Sequence, residues 1–122
     1  MPTTVYVVDP DPADRAWIQS ALGRSVNAVV FVDDGQALLA NLPCDEGACL
    51  IAFAEPDETA TLGLVRELRG RGAMLPVIVL GSHRAFRTAV DIARLEATDF
   101  LERPVGARQL RAAIRRACAG GK

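Results

Sequence analysis

Four short apolar runs and a fifth short segment, DFLE, occur at intervals along the chain, and glycine, proline or acidic residues follow each of them closely. They cover residues 4–8, 28–32, 48–54, 77–80 and 99–102. Runs of this kind are typical of strands that are buried on both faces, as in a parallel sheet. Segments with helical spacing separate them, and right-handed crossovers join successive parallel strands. The sequence therefore predicts an α/β fold of (βα)5 type with a doubly wound, five-stranded parallel sheet.

The helices between these strands have recognisable first and last residues. Asp11 is expected to cap a first helix that stops at Gly23, and the Asp33-Asp34 pair is expected to cap the second. The predicted helices span residues 12–22, 36–42, 60–69, 86–95 and 107–118. Trp17 lies on the apolar side of the first helix, where a lone aromatic residue is expected to belong to the core.

Length, charge and cysteine content exclude several classes of protein. The 122 residues fit one domain, expected over residues 1–118, with residues 119–122 as a tail or the start of a linker. A formal net charge of -1 gives no field that favours nucleic acid or a membrane surface. No apolar run approaches the roughly 18 residues of a membrane span, so a cytoplasmic protein is expected. Cys44, Cys49 and Cys118 match no zinc spacing and are expected to be reduced thiols.

Two carboxylates follow the first predicted strand. In open α/β sheets the cleft outside the carboxyl ends of the strands is where ligands bind. Asp9 and Asp11 lie at that end of the first strand, and they form a candidate acidic pocket.

Three stretches of the chain carry a family resemblance. They are residues 5–9 (VYVVD), 75–80 (LPVIVL) and 97–104 (ATDFLERP). Their order and spacing resemble the receiver domain of bacterial two-component response regulators, of the chemotaxis and nitrogen-fixation-regulator type. The resemblance implies a flavodoxin-like receiver fold. It also implies phosphoryl transfer from a histidine kinase to an aspartate, assisted by Mg²⁺ that neighbouring carboxylates hold.

The residues that would accept phosphate and bind the metal depart from this family's pattern. The position of the second metal-binding acid is Pro10, and Asp11 is already expected to cap a helix. The acceptor position falls on Phe53, or on Ala54 after a shift of one residue, and neither side chain can take a phosphoryl group. We therefore expect no cofactor. Mg²⁺ binding is doubtful, with Asp9 as the one weak candidate ligand.

The other positions of the pocket also differ from the family. Gly81 stands where the family has a serine or threonine, and Ser82 is its neighbour. Phe100 matches the aromatic residue that reorients on activation in the family, and here it is expected to be a packed aromatic at a partner surface. Arg103 replaces the family's lysine and either pairs with Asp9 or extends into solvent. Pro104 matches the family's proline and is a candidate for a cis peptide bond.

Charged residues in the last third of the chain form a candidate interaction face. These residues are Asp91, Arg94, Asp99, Arg108, Arg111 and Arg115. Receivers often dimerise through the last two helices and the fifth strand, so the resemblance implies a possible homodimer there. A solvated helix face is the alternative.

The predicted function is that of a receiver-like domain in phosphorelay signalling, not an enzyme, which acts by protein–protein interaction without phosphorylation. Its expected partner is a histidine kinase or an output domain. In one alternative, a displaced carboxylate, Glu55 or Asp57, accepts the phosphoryl group. In another, Asp9 and Asp11 serve an aspartate-based phosphatase, although such enzymes need an internal lysine and the only lysine here is Lys122.

Overall fold

The computed structural model describes residues 4–8, 10–40, 47–55, 57–73, 75–82 and 99–119. Its strands are β1 (Thr4–Val8), β2 (Ala28–Val32), β3 (Ala48–Phe53), β4 (Val77–Gly81) and β5 (Asp99–Glu102). The helices in the described ranges are α1 (Pro12–Leu22), α2 (Gly35–Ala40), α3 (Glu58–Gly70) and α4 (Ala107–Ala119). The helix predicted over residues 86–95 lies outside the described residues.

The five strands form a single parallel sheet in the order β2-β1-β3-β4-β5. The sequence-based prediction of a doubly wound parallel sheet is confirmed. Strand β3 lies in the middle, and all six of its residues are buried. A strand covered on both faces needs apolar side chains in both directions, which explains its unbroken apolar composition.

Two hydrophobic clusters cover the two faces of this sheet. The first cluster contains buried residues of α1 and α4, and the second contains buried residues of α2 and α3. Successive residues of β3 alternate between them: Cys49 and Ile51 belong to the first cluster, and Leu50 belongs to the second. The half-buried Trp17 packs against the first cluster, as predicted.

Aspartate side chains cap the N-termini of three helices. The Asp11 carboxylate accepts a hydrogen bond from the backbone N–H of Asp14 at 2.7 Å, and Gly23 ends α1 with a φ of 29°. Asp34 accepts from Ala37 N–H at 2.8 Å, so it is Asp34 that caps α2. The cap at Asp11 confirms the predicted start of α1, whereas α2 begins at Gly35, one residue before its predicted start.

Some element ends differ from the predictions by one or two residues. Helix α3 starts at Glu58 and not at residue 60, because Asp57 caps it through the backbone N–H of Ala60 at 3.0 Å. Strand β4 extends to Gly81, which still pairs with β5. Helix α4 continues to Ala119, one residue past the predicted end at Cys118. In the described part of the chain, no helix has the length and apolar character that a membrane crossing requires.

Candidate functional site

The carboxyl ends of β3, β4 and β5 lie side by side and bring the predicted site residues together. Phe53 pairs with Leu80, and Gly81 pairs with Glu102. Backbone hydrogen bonds continue past the strands, from Arg103 N–H to the Gly81 carbonyl at 2.8 Å. The side chains that follow these strands therefore face one shared edge of the sheet.

The predicted acceptor position holds apolar side chains. Phe53 is 9% exposed and Ala54 is fully buried. The hydroxyl of Thr61 in α3 donates a hydrogen bond to the Phe53 carbonyl, so the end of β3 is tied to that helix. Neither side chain offers an oxygen that could take up a phosphoryl group.

Arg103 reaches across the end of β3. Its guanidinium lies 5.4 Å from the centre of the Phe53 ring, within the range of a cation–π contact. The same group donates to a carboxylate oxygen of Asp14 in α1 at 2.5 Å. Arg103 is exposed, as one predicted alternative had it, and these two contacts also hold its guanidinium against the protein. Its predicted partner Asp9 lies outside the described residues.

Asp14 is a site residue that the sequence analysis did not identify. Its side chain is only 14% exposed, against 39% for Arg103, so the carboxylate is the more enclosed partner. The two residues are 89 positions apart in the chain. The local sequence shows only that Asp14 is an acid in the first turn of α1. An acid there is expected in any case, because it stabilises the N-terminus of a helix. The peptide bond before Pro104 is cis, as predicted.

Glu55 and Ser82 join the ends of β3 and β4. The Glu55 carboxylate accepts the Ser82 backbone N–H at 2.8 Å with one oxygen. With the other oxygen it accepts the Ser82 hydroxyl. Two hydrogen bonds to one carboxylate define both its position and its orientation. Asp57 does not join this group, because it is exposed and caps α3.

Gly81 provides the space into which Phe100 packs. A Cβ atom at residue 81 would lie 2.7 Å from Cζ of Phe100 and 2.9 Å from Cβ of Ala54. Both separations are shorter than van der Waals contact, so even alanine requires its neighbours to shift. Phe100 is half-buried and packs against the second cluster. The family's serine or threonine is therefore incompatible with this packing.

The acidic pocket is only partly within the described residues. Asp9 lies outside them, and Asp11 is exposed with one oxygen committed to its helix cap. A small pocket of about 130 Å³ opens beside Phe53, with Asp34 and Asp57 on its wall. Over the ranges that the structure describes, no three acidic, histidine or cysteine side chains come close enough to hold a metal ion.

Several residues of the predicted interaction face make contacts within the chain. Arg116 pairs with Asp99 at 3.1 Å, and Arg111 donates to the Ala21 carbonyl at 2.9 Å. Arg108 and Arg115 are exposed on α4. Asp91 and Arg94 lie outside the described residues. The sequence analysis did not identify the bond between Arg116 and Asp99.

Comparison with known proteins connects this geometry to one family. The family model of the response regulator receiver domain matches residues 5–115. The transcriptional regulatory protein FixJ of Azorhizobium caulinodans is 36% identical over 112 residues, which are 91% of this chain and 53% of that protein.

Solved receiver structures have the same fold. The crystal structure of FixJ-N superposes with a TM-score of 0.86 at 26% identity, covering 98% of this chain and 95% of that one. A response regulator receiver protein from Pseudoalteromonas atlantica gives a TM-score of 0.82 at 26% identity, with coverage of 98% and 99%.

The match extends over nearly all of this chain but over only part of its longer relatives. The chain spans about half the length of the FixJ proteins, and 24% of the length of a putative NtrX-like response regulator from Rickettsia bellii. The match to the family model extends from β1 into α4 and includes all five strands. The chain therefore belongs to the response regulator receiver domain family of two-component signalling.

Proposed function

We propose that this receiver domain signals without being phosphorylated and acts as a protein-interaction module. The observation that carries the proposal is the apolar side chain of Phe53 at the acceptor position, with the Arg103 guanidinium over its ring. Phosphoryl transfer to a receiver requires a carboxylate oxygen at that position and cations to offset the charge of the phosphoryl oxygens. Phe53 supplies no such oxygen, and Arg103 is bonded to Asp14.

Glu55 supports the same proposal in a different way. The family resemblance implies that the serine or threonine after β4 contacts the phosphoryl group in an activated receiver. Here the Ser82 hydroxyl and backbone N–H both donate to the Glu55 carboxylate. A carboxylate of this chain thus makes the contacts that phosphoryl oxygens would otherwise make. On this proposal, the β3 and β4 ends are held in one bonded arrangement without any modification.

The proposed partner is a histidine kinase, an output domain or a second copy of this chain. Related proteins include transcriptional regulatory proteins that are about twice as long as this chain. The proposed contact surface consists of β5 and α4, and the exposed Arg108 and Arg115 lie on α4. Because these guanidinium groups are exposed, they favour an acidic surface on the partner.

The test is incubation with acetyl phosphate and Mg²⁺, followed by intact-mass measurement at neutral pH. We expect no mass gain, because Phe53 and Ala54 cannot take a phosphoryl group. A receiver that has the family's acceptor aspartate, treated in parallel, provides the positive control. The Phe53→Asp variant shows whether an acid at this position alone restores the reaction.

Two other results would contradict the proposal and identify its replacement. An acid-labile adduct that disappears in Glu55→Gln or Asp57→Asn would show that a displaced carboxylate accepts phosphate. Steady release of inorganic phosphate that is lost in Asp9→Asn or Asp11→Asn would show an aspartate-based phosphatase.

A further inference from the structure

Two cysteine side chains lie in or against the first hydrophobic cluster, on the face of the sheet that α1 and α4 cover. Cys49 is the second residue of β3 and is 0% exposed. Cys118 lies in the last turn of α4, packs against the same cluster and is partly exposed. One thiol is therefore deep in the core, and the other lies between the core and solvent.

Helix α4 packs on β3, and this packing brings both thiols into the same cluster. A hydrogen bond with the Cys118 side chain raises the pKa of the Cys49 thiol well above its ordinary value, and burial and negative charge on Cys118 raise it further. The Cys49 thiol therefore stays protonated while Cys118 is the sulfur that solvent can reach. A thiolate reacts with oxidants and a thiol does not, so the two cysteines have unequal roles.

We propose that Cys49 and Cys118 form a reversible disulfide on exposure to hydrogen peroxide, which links the middle strand of the sheet to the last turn of α4. The proposal rests on the packing of both side chains in one cluster, the packing of α4 on β3 and the partial exposure of Cys118. It does not depend on whether the domain is phosphorylated.

The reaction balances with peroxide as the only oxidant. The Cys118 thiolate attacks one peroxide oxygen, the O–O bond breaks, and the sulfur becomes a sulfenic acid while the other oxygen leaves as water after taking a proton. The Cys49 sulfur then attacks the sulfenic sulfur, the S–O bond breaks, and the Cys49 proton leaves with the hydroxyl group as a second water. Two thiols are oxidised and one peroxide is reduced. A dithiol reductant reverses the bond by thiol–disulfide exchange.

A disulfide at this place would fasten the end of α4 to the core. In the reduced protein α4 is held there by apolar packing of residues such as Ala113, Ile114 and Ala117. A covalent link between β3 and α4 removes conformations from the unfolded chain. The oxidised domain is therefore expected to unfold at a higher temperature, by roughly 10 °C.

The test is treatment of the folded, reduced chain with one equivalent of hydrogen peroxide. The remaining thiols are then alkylated in denaturant and the intact mass is measured. We expect the loss of two hydrogen atoms, alkylation of Cys44 alone, and a peptide that contains both Cys49 and Cys118. Dithiothreitol should restore all three alkylatable thiols. The same reaction in chaotrope should be at least about tenfold slower, because the sulfur atoms are no longer held together.

Variants separate this pair from other thiol chemistry. Cys44→Ser is the matched control and should form the link at an unchanged rate. Cys118→Ser should form no intramolecular link. Since Cys118 is partly exposed, this variant should still fold, as circular dichroism can verify. A sulfinic acid on Cys118 without a link would overturn the proposal, as would a bond that uses Cys44 or a disulfide-linked dimer as the main product.

Discussion

The contact between Arg103 and Phe53 shows how one pair of side chains can replace another. The family resemblance implies a lysine and an aspartate at these two positions, which attract each other as opposite charges. Here a guanidinium lies 5.4 Å from the centre of an aromatic ring. A planar cation suits a ring face better than a compact ammonium does. The attraction between the two strand ends is kept, and the group that would react with phosphate is not.

Replacement of Arg103 with alanine tests this contact. We expect Arg103→Ala to lower the free energy of unfolding by about 1 kcal/mol, since it removes a partly exposed cation–π contact and an ion pair with Asp14. Urea unfolding followed by circular dichroism measures the change. Arg108→Ala is the control on an exposed arginine and should change stability by less than about 0.5 kcal/mol. Equal effects of the two substitutions would show that the Arg103 contacts add nothing.

Residues such as these were also the hardest to predict. The sequence predicted the acceptor position at Phe53 or Ala54 and a replaced lysine at Arg103, because family spacing placed these positions. It did not place Arg103 against Asp14, which is 89 residues away. Asp14 looked like an ordinary acid at a helix start, and nothing in the local sequence distinguishes an acid with a distant partner from one without.

At the level of elements, the strands were predicted well and the loops between them were not. Apolar composition identified β1 to β4, and it was clearest for β3 and β4, which are buried along their whole length. Strand β5 contains two acidic residues and was identified as a short segment before Arg103. The contact between Glu55 and Ser82 joins residues 27 positions apart. This contact depends on the conformation of the loops that follow β3 and β4. The spacing of apolar residues in the sequence does not specify loop conformation. The sequence offered Glu55 and Asp57 as equal alternatives, and only Glu55 contacts Ser82.

A double-mutant cycle measures how strongly the β3 and β4 ends are coupled. Glu55→Ala and Ser82→Ala should each cost about 1–2 kcal/mol, because a partly buried hydrogen bond to a charged group is lost. Glu55→Ala removes both hydrogen bonds to Ser82, whereas Ser82→Ala removes only the bond from the hydroxyl. For the hydroxyl–carboxylate bond that both substitutions remove, we expect a coupling energy of about 1 kcal/mol in the free energy of unfolding.

The exposed pair Glu67 and Arg71, one turn apart on α3, is the matched control for this cycle. Its coupling energy should be only about 0.3–0.5 kcal/mol. If the two cycles gave equal coupling energies, the Glu55–Ser82 contact would be no stronger than an exposed ion pair. Its proposed role in fixing the loops would then fail.

At the scale of the whole molecule, β3 makes the two hydrophobic clusters dependent on each other. Its side chains enter both clusters in alternation, so neither face can lose its packing while the strand stays in place. We expect the domain to unfold in one cooperative transition.

A substitution on one face should therefore be detected by a probe on the other. Leu38 of α2 is 0% exposed in the second cluster, and Leu38→Ala should cost about 2–5 kcal/mol. Trp17, the only tryptophan, packs against the first cluster. In Leu38→Ala, the urea midpoint measured by Trp17 fluorescence and the one measured by circular dichroism should decrease by the same amount. Gln36→Ala, on the exposed side of the same helix, should move neither midpoint. A fluorescence midpoint that stayed in place would mean that the two faces unfold separately.

The guanidinium that lies on the Phe53 ring also bears on what one substitution at that position can achieve. An aspartate in place of the ring would lie near a cation that Asp14 already binds, so two carboxylates would share one arginine. The new acid would still lack the second metal-binding acid that the family resemblance implies at the position of Pro10. A single exchange at residue 53 is therefore not expected to restore phosphoryl transfer.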